Sequence, residues 1–449
     1  MKRKIYDQLL KWKVESQGTT SLLIDGARRT GKSYIAEEFA KNEYKSYILI
    51  DFFKAPKEVK DLFDNYLDDL DNFFLLLKSF YKVELYERDT LIIFDEVQLF
   101  PRARGALKYL VADGRYDYIE TGSLLSIKEN VKDIIIPSEE EHILLHPMDF
   151  EEFLWAMNEK SLMEIIRLCF NEKKSIGPLL HRKAMNLFRQ YLIVGGMPQV
   201  VDCYIKTRSF ENVDKIKRNI LSLYKNDIAK HASRYKAKVL AVFNEIPSQL
   251  NRHEKKFDFA ALNKSIRKRD YEDALFWLED AMIVNHCYNT TEPNIGLKLN
   301  MEQTSLKCYM ADTGLLLSHT FDEQNIKKED LYKKILFDKL EFNEGMIVEN
   351  IVAQMLRASG HNLYFYSKYS TEASLRMEID FLISKNDITS RHNISPIEVK
   401  SGKNYTLNSL NKFKNKFSEY LNTSYVIHPL EYKEENGVIY LPYYMTPLL

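Results

Sequence analysis

The eight residues Gly26 to Ser33, GARRTGKS, satisfy the pattern G-x-x-x-x-G-K-[ST] and lie between an apolar run, Leu22-Leu23-Ile24, and a helix-like stretch, Tyr34 to Ala40. A triphosphate is a dense cluster of negative oxygens, so binding it takes many donors converging on a small volume. Glycines at 26 and 31 let the chain curl tightly. The backbone N–H groups of Gly26, Ala27, Arg28, Arg29, Thr30, Gly31, Lys32 and Ser33 can then ring the phosphates, and the helix that follows adds the positive end of its dipole. Lys32 is placed to bridge the β- and γ-phosphates and the Ser33 hydroxyl to bind Mg²⁺. The ligand this chemistry suits is ATP with Mg²⁺.

A second segment, Thr90 to Leu99, reads TLIIFDEVQL: a short β-prone run ending in two adjacent acids. A strand buried in a parallel sheet is apolar throughout, and its carboxyl end opens onto the ligand crevice. Asp95 is therefore expected at the Mg²⁺ ion, with Glu96 orienting or deprotonating the attacking water. A third strand, Tyr116 to Ile119, leads into Thr121-Gly122-Ser123, whose hydroxyls at Thr121 and Ser123 are candidate sensors of the γ-phosphate.

A separate set of acids lies near the C-terminus. In Met377 to Ser384, MEIDFLIS, the two-residue period of a strand puts Glu378 and Asp380 on one face, and in Pro396 to Lys400, PIEVK, Glu398 and Lys400 share a face. Upstream, in GMIVENIVAQML, Glu349 has Gly345, Met346, Val352 and Ala353 as helical neighbours, so an acid falls on an apolar face. A carboxylate there is costly unless paired or metal-bound. One reading makes Glu349, Asp380 and Glu398 ligands of a divalent metal, with Asp380, Glu398 and Lys400 catalysing phosphodiester hydrolysis. The other makes Glu349 a structural partner of Lys400 or Arg376 and leaves the strand acids solvated.

Around these sites the elements alternate. From residue 20 to about 147, β-prone runs (Ser21 to Asp25, Ser46 to Phe52, Thr90 to Phe94, Tyr116 to Thr121, His142 to Leu145) alternate with helical stretches, which implies an α/β domain over 1–150 with a parallel sheet covered on both faces. Residues 151–237 read as a helical lid, broken at Ile176-Gly177-Pro178 and Gly195-Gly196-Met197-Pro198. Helices and then a hairpin over 238–320 suggest a winged helix. Residues 331–449 read as a separate α+β unit that begins with a long helix.

Composition narrows the class. The chain has 449 residues, 45% of them hydrophobic, enough for two to four domains with real cores. Lys+Arg and Asp+Glu are both 64, so any basic surface must be local. Cys169, Cys203, Cys287 and Cys308 form no C-x-x-C pair, which argues against a zinc site and a disulfide framework alike. No apolar run approaches the roughly 18 residues of a spanning helix. The expectation is a soluble, cytoplasmic protein, with monomer and homo-oligomer both open.

Taken in order, the motifs resemble those of prokaryotic ATPases that fuse an AAA-type P-loop domain to a C-terminal domain with a PD-(D/E)XK nuclease-like fold. The resemblance covers nearly the whole chain. It rests on GARRTGKS, IIFDEVQLFPRA (Ile92 to Ala103), TGSLLS (Thr121 to Ser126), HPMDFEEFLWA (His146 to Ala156), YLIVGGMPQVV (Tyr191 to Val201), YMADTGLL (Tyr309 to Leu316) and IEVKSGK (Ile397 to Lys403). It implies a P-loop AAA-type core, a helical lid, a winged-helix domain and a restriction-endonuclease-like C-terminal domain. In that last domain Glu349, Asp380 and Glu398-x-Lys400 stand at the positions of the nuclease pattern. The chain departs from many relatives at Ile136-Pro137-Ser138-Glu139-Glu140-Glu141-His142, where they carry a Gly-Arg pair, so no trans-acting arginine is carried over.

DNA is the expected macromolecular partner. Arg252 to Asp270 holds seven basic residues (Arg252, Lys255, Lys256, Lys264, Arg267, Lys268, Arg269) against three acids, interleaved with Phe257 and Phe259. The leading expectation is thus an ATPase that binds DNA, with cleavage by the C-terminal acids as the further claim. The competing one is an ATP-driven regulatory protein whose nuclease-like domain only binds a partner.

Overall fold

In a computed structural model the described residues are 1–124, 138–232, 235–252, 255–261, 271–294, 296–322, 327–336, 344–369, 372, 376–384 and 392–449. Ile136 and Pro137 of the departing segment and Lys264, Arg267, Lys268 and Arg269 of the basic stretch lie outside them. The chain divides into two compact units, Met1–His146 with Asp280–Met282, and Pro147–Glu279 with Ile283–Leu449.

The first unit is built on β1 (Ser21–Asp25), β2 (Ser46–Asp51), β3 (Thr90–Asp95), β4 (Asp117–Thr121) and β5 (Glu140–Leu144), in the order β2-β3-β4-β1-β5 with every pairing parallel. β1 and β3 are buried at every position, the pattern of strands covered on both faces. Successive residues point to opposite sides. Leu23, Ile92 and Phe94 pack with the helices Lys57–Asn65, Leu70–Tyr81 and Pro101–Asp113, whereas Leu22, Ile24, Leu91 and Ile93 pack with Ile5–Ser16 and Lys32–Glu43. The expected α/β layering is present. What the order adds is that β4 lies between β1 and β3, so the carboxyl ends of all three meet.

The second unit opens with the helices Phe150–Ala156, Lys160–Asn171, Pro178–Val194, Pro198–Thr207 and Phe210–His231. Asp149 and Glu152 form a reciprocal capping box at the first of them. The breaks anticipated at Gly177-Pro178 and Gly195 to Pro198 fall at helix ends, with Pro178 and Pro198 in the first helical turn.

The rest of this unit differs from the sequence expectation. β6 (Val284–Thr290) and β7 (Met301–Met310) do form an antiparallel hairpin. It is not a free-standing wing, because β6 also pairs in parallel with β8 (Tyr364–Lys368). Together with β9 (Met377–Ser384), β10 (Ile394–Val399), β11 (Ser424–His428), β12 (Lys433–Glu435) and β13 (Val438–Pro442) they make one eight-stranded sheet, ordered β12-β13-β11-β10-β9-β8-β6-β7. The segment expected to end at 320 and the one expected to begin at 331 therefore share a sheet, and the C-terminal region is not a separate unit. Pairing at a sheet edge satisfies the backbone of β6 on both sides, which an isolated hairpin cannot do.

Three of the motifs serve this packing. Gly196 N donates to Asp312 Oδ2 at 2.6 Å and Met148 N donates to Gly196 O at 2.7 Å. A side chain at 196 would run into the Met148 carbonyl, which explains the glycine. The Tyr191 hydroxyl donates to Met148 O (2.8 Å), Gln354 Nε2 to the Tyr191 hydroxyl (2.9 Å), and Thr313 N to Gln354 Oε1 (2.8 Å). HPMD, GGMP and ADTG thus meet at one buried, hydrogen-bonded junction with the helix Glu344–Ala358.

Candidate functional site

Two clusters contain the chemistry-bearing residues, one in each unit. In the first, the loop leaves β1 at Asp25, whose Oδ1 accepts from Gly26 N at 2.7 Å. Gly26 is so close to the Leu145 carbonyl that a Cβ there would lie 2.5 Å from its oxygen. The chain turns through left-handed Arg29 and Gly31, and the helix Lys32–Glu43 begins directly after. The Thr30 hydroxyl donates to Ala27 O at 2.8 Å and braces the turn. Arg3 donates to Thr30 O at 3.0 Å and His146 O at 2.6 Å, tying the loop to the end of β5. Sequence reasoning missed Arg3, since a basic residue near a charged amino terminus has no spacing that marks it.

Lys32 is buried, and its ammonium donates to Gly26 O (2.8 Å) and Ala27 O (2.9 Å), inside the curve of the loop. Burial pulls it down to about 8, while Asp25, Glu96 and Asp95 pull the other way. Ser33 Oγ donates to Asp95 Oδ1 at 2.6 Å, and the Thr121 hydroxyl donates to the same oxygen. Asp95 is buried at the end of β3. Glu96, next in the chain, sits at a left-handed φ of 53°, with its Oε2 accepting from Gln98 Nε2. Ser123 is buried but does not hydrogen-bond to Asp95. A hydroxyl and a carboxylate side by side at the first turn of a helix are hard oxygen donors of the kind Mg²⁺ takes, and the residues fit that ion.

The second cluster holds the C-terminal acids. Asp380 on β9 and Glu398 on β10 lie on adjacent antiparallel strands, and Asp380 Oδ2 accepts from Val399 N at 2.8 Å. Lys400 pairs with Glu398. Glu349 does not pair with Lys400 or Arg376. It is buried against Lys255, Lys307 and the Tyr309 hydroxyl. Burial works against the charge on Glu349, yet Lys307 and Lys255 hold its carboxyl below the ordinary range; burial and the charge of Glu349 push Asp380 up.

Among the described residues no group of three or more His, Cys, Asp and Glu is arranged to hold a metal ion. In place of a cation shared by Glu349, Asp380 and Glu398, the structure sets Lys255 and Lys307 against Glu349, with Lys307 also 3.7 Å from Asp380. Lys255 and Lys307 come from segments far from the nuclease-like pattern, and no spacing in the chain marks them.

The basic stretch is also partly committed. Arg252 pairs with Asp258 at 2.7 Å, Lys255 with Glu349, and Phe257 is buried. Among the described residues no helix is long and apolar enough to cross a membrane.

Among solved structures the chain is similar to the Walker-type ATPase PABY2304 of Pyrococcus abyssi, at 16% identity, covering 71% of this chain and 95% of that one with a TM-score of 0.41. It is also similar to the Aeropyrum pernix ORC1 protein in complex with DNA (11% identity, 72% and 93% coverage, TM-score 0.28) and to Drosophila ORC bound to DNA (13%, 72% and 95%, 0.26). No curated protein matches the sequence. Residues 185–325 match a family model described as a domain of unknown function (DUF8612), and residues 344–444 match another, DUF4143. Residues 19–154 match the AAA domain, so the first unit holds an AAA-type P-loop ATPase core and a DUF4143 domain lies near the C-terminus.

Proposed function

We propose that this protein hydrolyses ATP and uses the cycle to control a nucleic-acid partner. The observation that carries the ATPase reading is the meeting of Ser33, Asp95 and Thr121 on one carboxylate oxygen, beside the buried Lys32. The loop Gly26 to Ser33 cradles the phosphates with its N–H groups, and Lys32 moves from its own loop carbonyls to the β- and γ-phosphate oxygens. Ser33 and Asp95 are the residues that would hold Mg²⁺, which when bound neutralises charge building on the phosphates. Glu96 accepts the proton of the attacking water, and the Gln98 amide fixes the direction of that carboxylate. Thr121 orients Asp95, and Ser123 is the second hydroxyl near the γ-phosphate.

The experiment is a pair of variants assayed for MgATP binding and turnover. Lys32→Ala loses ATP binding, whereas Glu96→Gln binds ATP nearly as wild type and turns over roughly a hundredfold or more slowly. Wild-type ATP affinity in Lys32→Ala would remove the phosphate-site reading.

DNA is proposed as the partner on the charge of residues 252–270, where Lys256, Lys264, Arg267, Lys268 and Arg269 remain beside Arg252 and Lys255, which pair with Asp258 and Glu349. Cleavage of DNA by Asp380, Glu398 and Lys400 is not part of this reading, because Lys255 and Lys307 already stand against the acids Glu349 and Asp380.

A further inference from the structure

The C-terminal acids already hold a cation of their own. Lys307 stands on β7, and its side chain is wholly buried. Its ammonium lies 2.9 Å from Glu378 Oε1, 3.1 Å from Glu349 Oε1 and 3.7 Å from Asp380 Oδ1. An ammonium has three protons to give, and here three carboxylates surround it.

The remaining oxygens of Glu349 and Asp380 are also engaged. Glu349 Oε2 takes Lys255, the Tyr309 hydroxyl donates to Glu349 Oε1, and the Val399 N–H occupies Asp380 Oδ2. For a small divalent cation to enter, these oxygens would have to close to about 2.1 Å. A wholly buried ammonium would have to leave its counter-charges at the same time, which is strongly unfavourable.

We propose that Lys307 is a built-in cation, standing among Glu349, Glu378 and Asp380 where a divalent metal would otherwise bind, so that the C-terminal acids form a metal-independent ion-pair core rather than a hydrolytic centre. The arrangement also gives the hairpin a role. The two lysines lie at 255 and 307, within the 185–325 match, and the acids lie within the 344–444 match. The two matched segments thus complete one charge cluster, in which Lys307 on β7 meets Glu378 and Asp380 on β9 and Glu349 on the helix Glu344–Ala358, and that cluster supports the attachment of β6 and β7 to β8 and β9. The inference is independent of the ATPase reading.

The test is a Mn²⁺ titration of the full-length, nucleotide-free protein, with bound ion counted by electron paramagnetic resonance. Any Mn²⁺ at Ser33 and Asp95 is common to all variants. Wild type and Asp380→Asn are expected to give the same curve. Lys307→Met, which keeps most of the length of the side chain and removes its charge, is expected to gain one further Mn²⁺, at an affinity roughly tenfold or more above any that the wild type shows beyond the ion common to all variants. Asp380→Asn in the Lys307→Met background removes it. A Mn²⁺ ion bound by wild type and lost in Asp380→Asn overturns the proposal, as does a folded Lys307→Met that gains none. If circular dichroism shows Lys307→Met unfolded, wild type against Asp380→Asn decides alone. Mn²⁺-dependent DNA cleavage by wild type that disappears in Asp380→Asn overturns it as well.

Discussion

Ser33 and Asp95 are 62 positions apart, yet their side chains meet at 2.6 Å, and the Thr121 hydroxyl reaches the same Asp95 oxygen from a third strand. The contact exists because β4 is threaded between β1 and β3, which brings three strand ends to one point. A carboxylate held from two sides loses little freedom when a cation and phosphates arrive, so the geometry is prepared before binding.

The role of Thr121 can be separated from that of the loop. Thr121→Val keeps the shape and removes the donor to Asp95. Its kcat is expected to fall by roughly tenfold to a hundredfold with ATP affinity changed less than about threefold, because only the orientation of Asp95 is loosened. Steady-state ATPase kinetics with a fluorescent-nucleotide titration check this, and an unchanged kcat would make Thr121 a plain strand residue.

Arg104 in the helix Pro101–Asp113 is buried, 2.9 Å from Glu140 and 3.5 Å from Glu120. Burial, and next the charge of Glu140, push the Glu120 carboxyl well up. Removing a buried cation that faces both acids leaves them poorly compensated, so Arg104→Met is expected to lower stability by about 3–5 kcal/mol. Urea denaturation measures it; a loss under about 1 kcal/mol would mean the pair contributes little.

Lys217 is fully buried, donating to Ile193 O at 2.9 Å, and burial pulls it from 10.5 down to about 8. A depressed lysine makes the folded state bind fewer protons than the unfolded one between these values, so the cost of burying the charge is present below about pH 8 and is relieved as pH rises towards 10.5. At 1.36 kcal/mol per unit the full swing is about 3 kcal/mol. The stability of wild type relative to Lys217→Met should therefore improve steadily from pH 7.5 to 10. Parallel pH profiles for the two proteins would show that the charge is not buried.

Replacing Arg267, Lys268 and Arg269 together with Ala is expected to weaken DNA binding about equally across sequences and to reduce the salt slope by roughly two to three. Fluorescence anisotropy at several salt concentrations reads both. An unchanged affinity and slope would move the interface away from 252–270.

What could be read along the chain was what is local in the chain. The phosphate loop, the acids closing β3, the continuous burial of β1 and β3 and the two-residue periods of β9 and β10 each depend on neighbours within about ten residues, and the spacing of side chains announces them. The bare residues did not reveal that β4 separates β1 from β3, nor that the 284–310 hairpin is an edge of the C-terminal sheet. Strand order is set by which faces can be buried together, and many orders satisfy the same local pattern. The C-terminal acids show the limit most plainly. Glu349, Asp380 and Glu398 were all visible as a possible metal set, but Lys307 pairs with Glu349 from 42 positions away and Lys255 from 94. A carboxylate's partner is decided by which buried charge the tertiary fold sets beside it, because an isolated charge away from water is too costly to leave unmet.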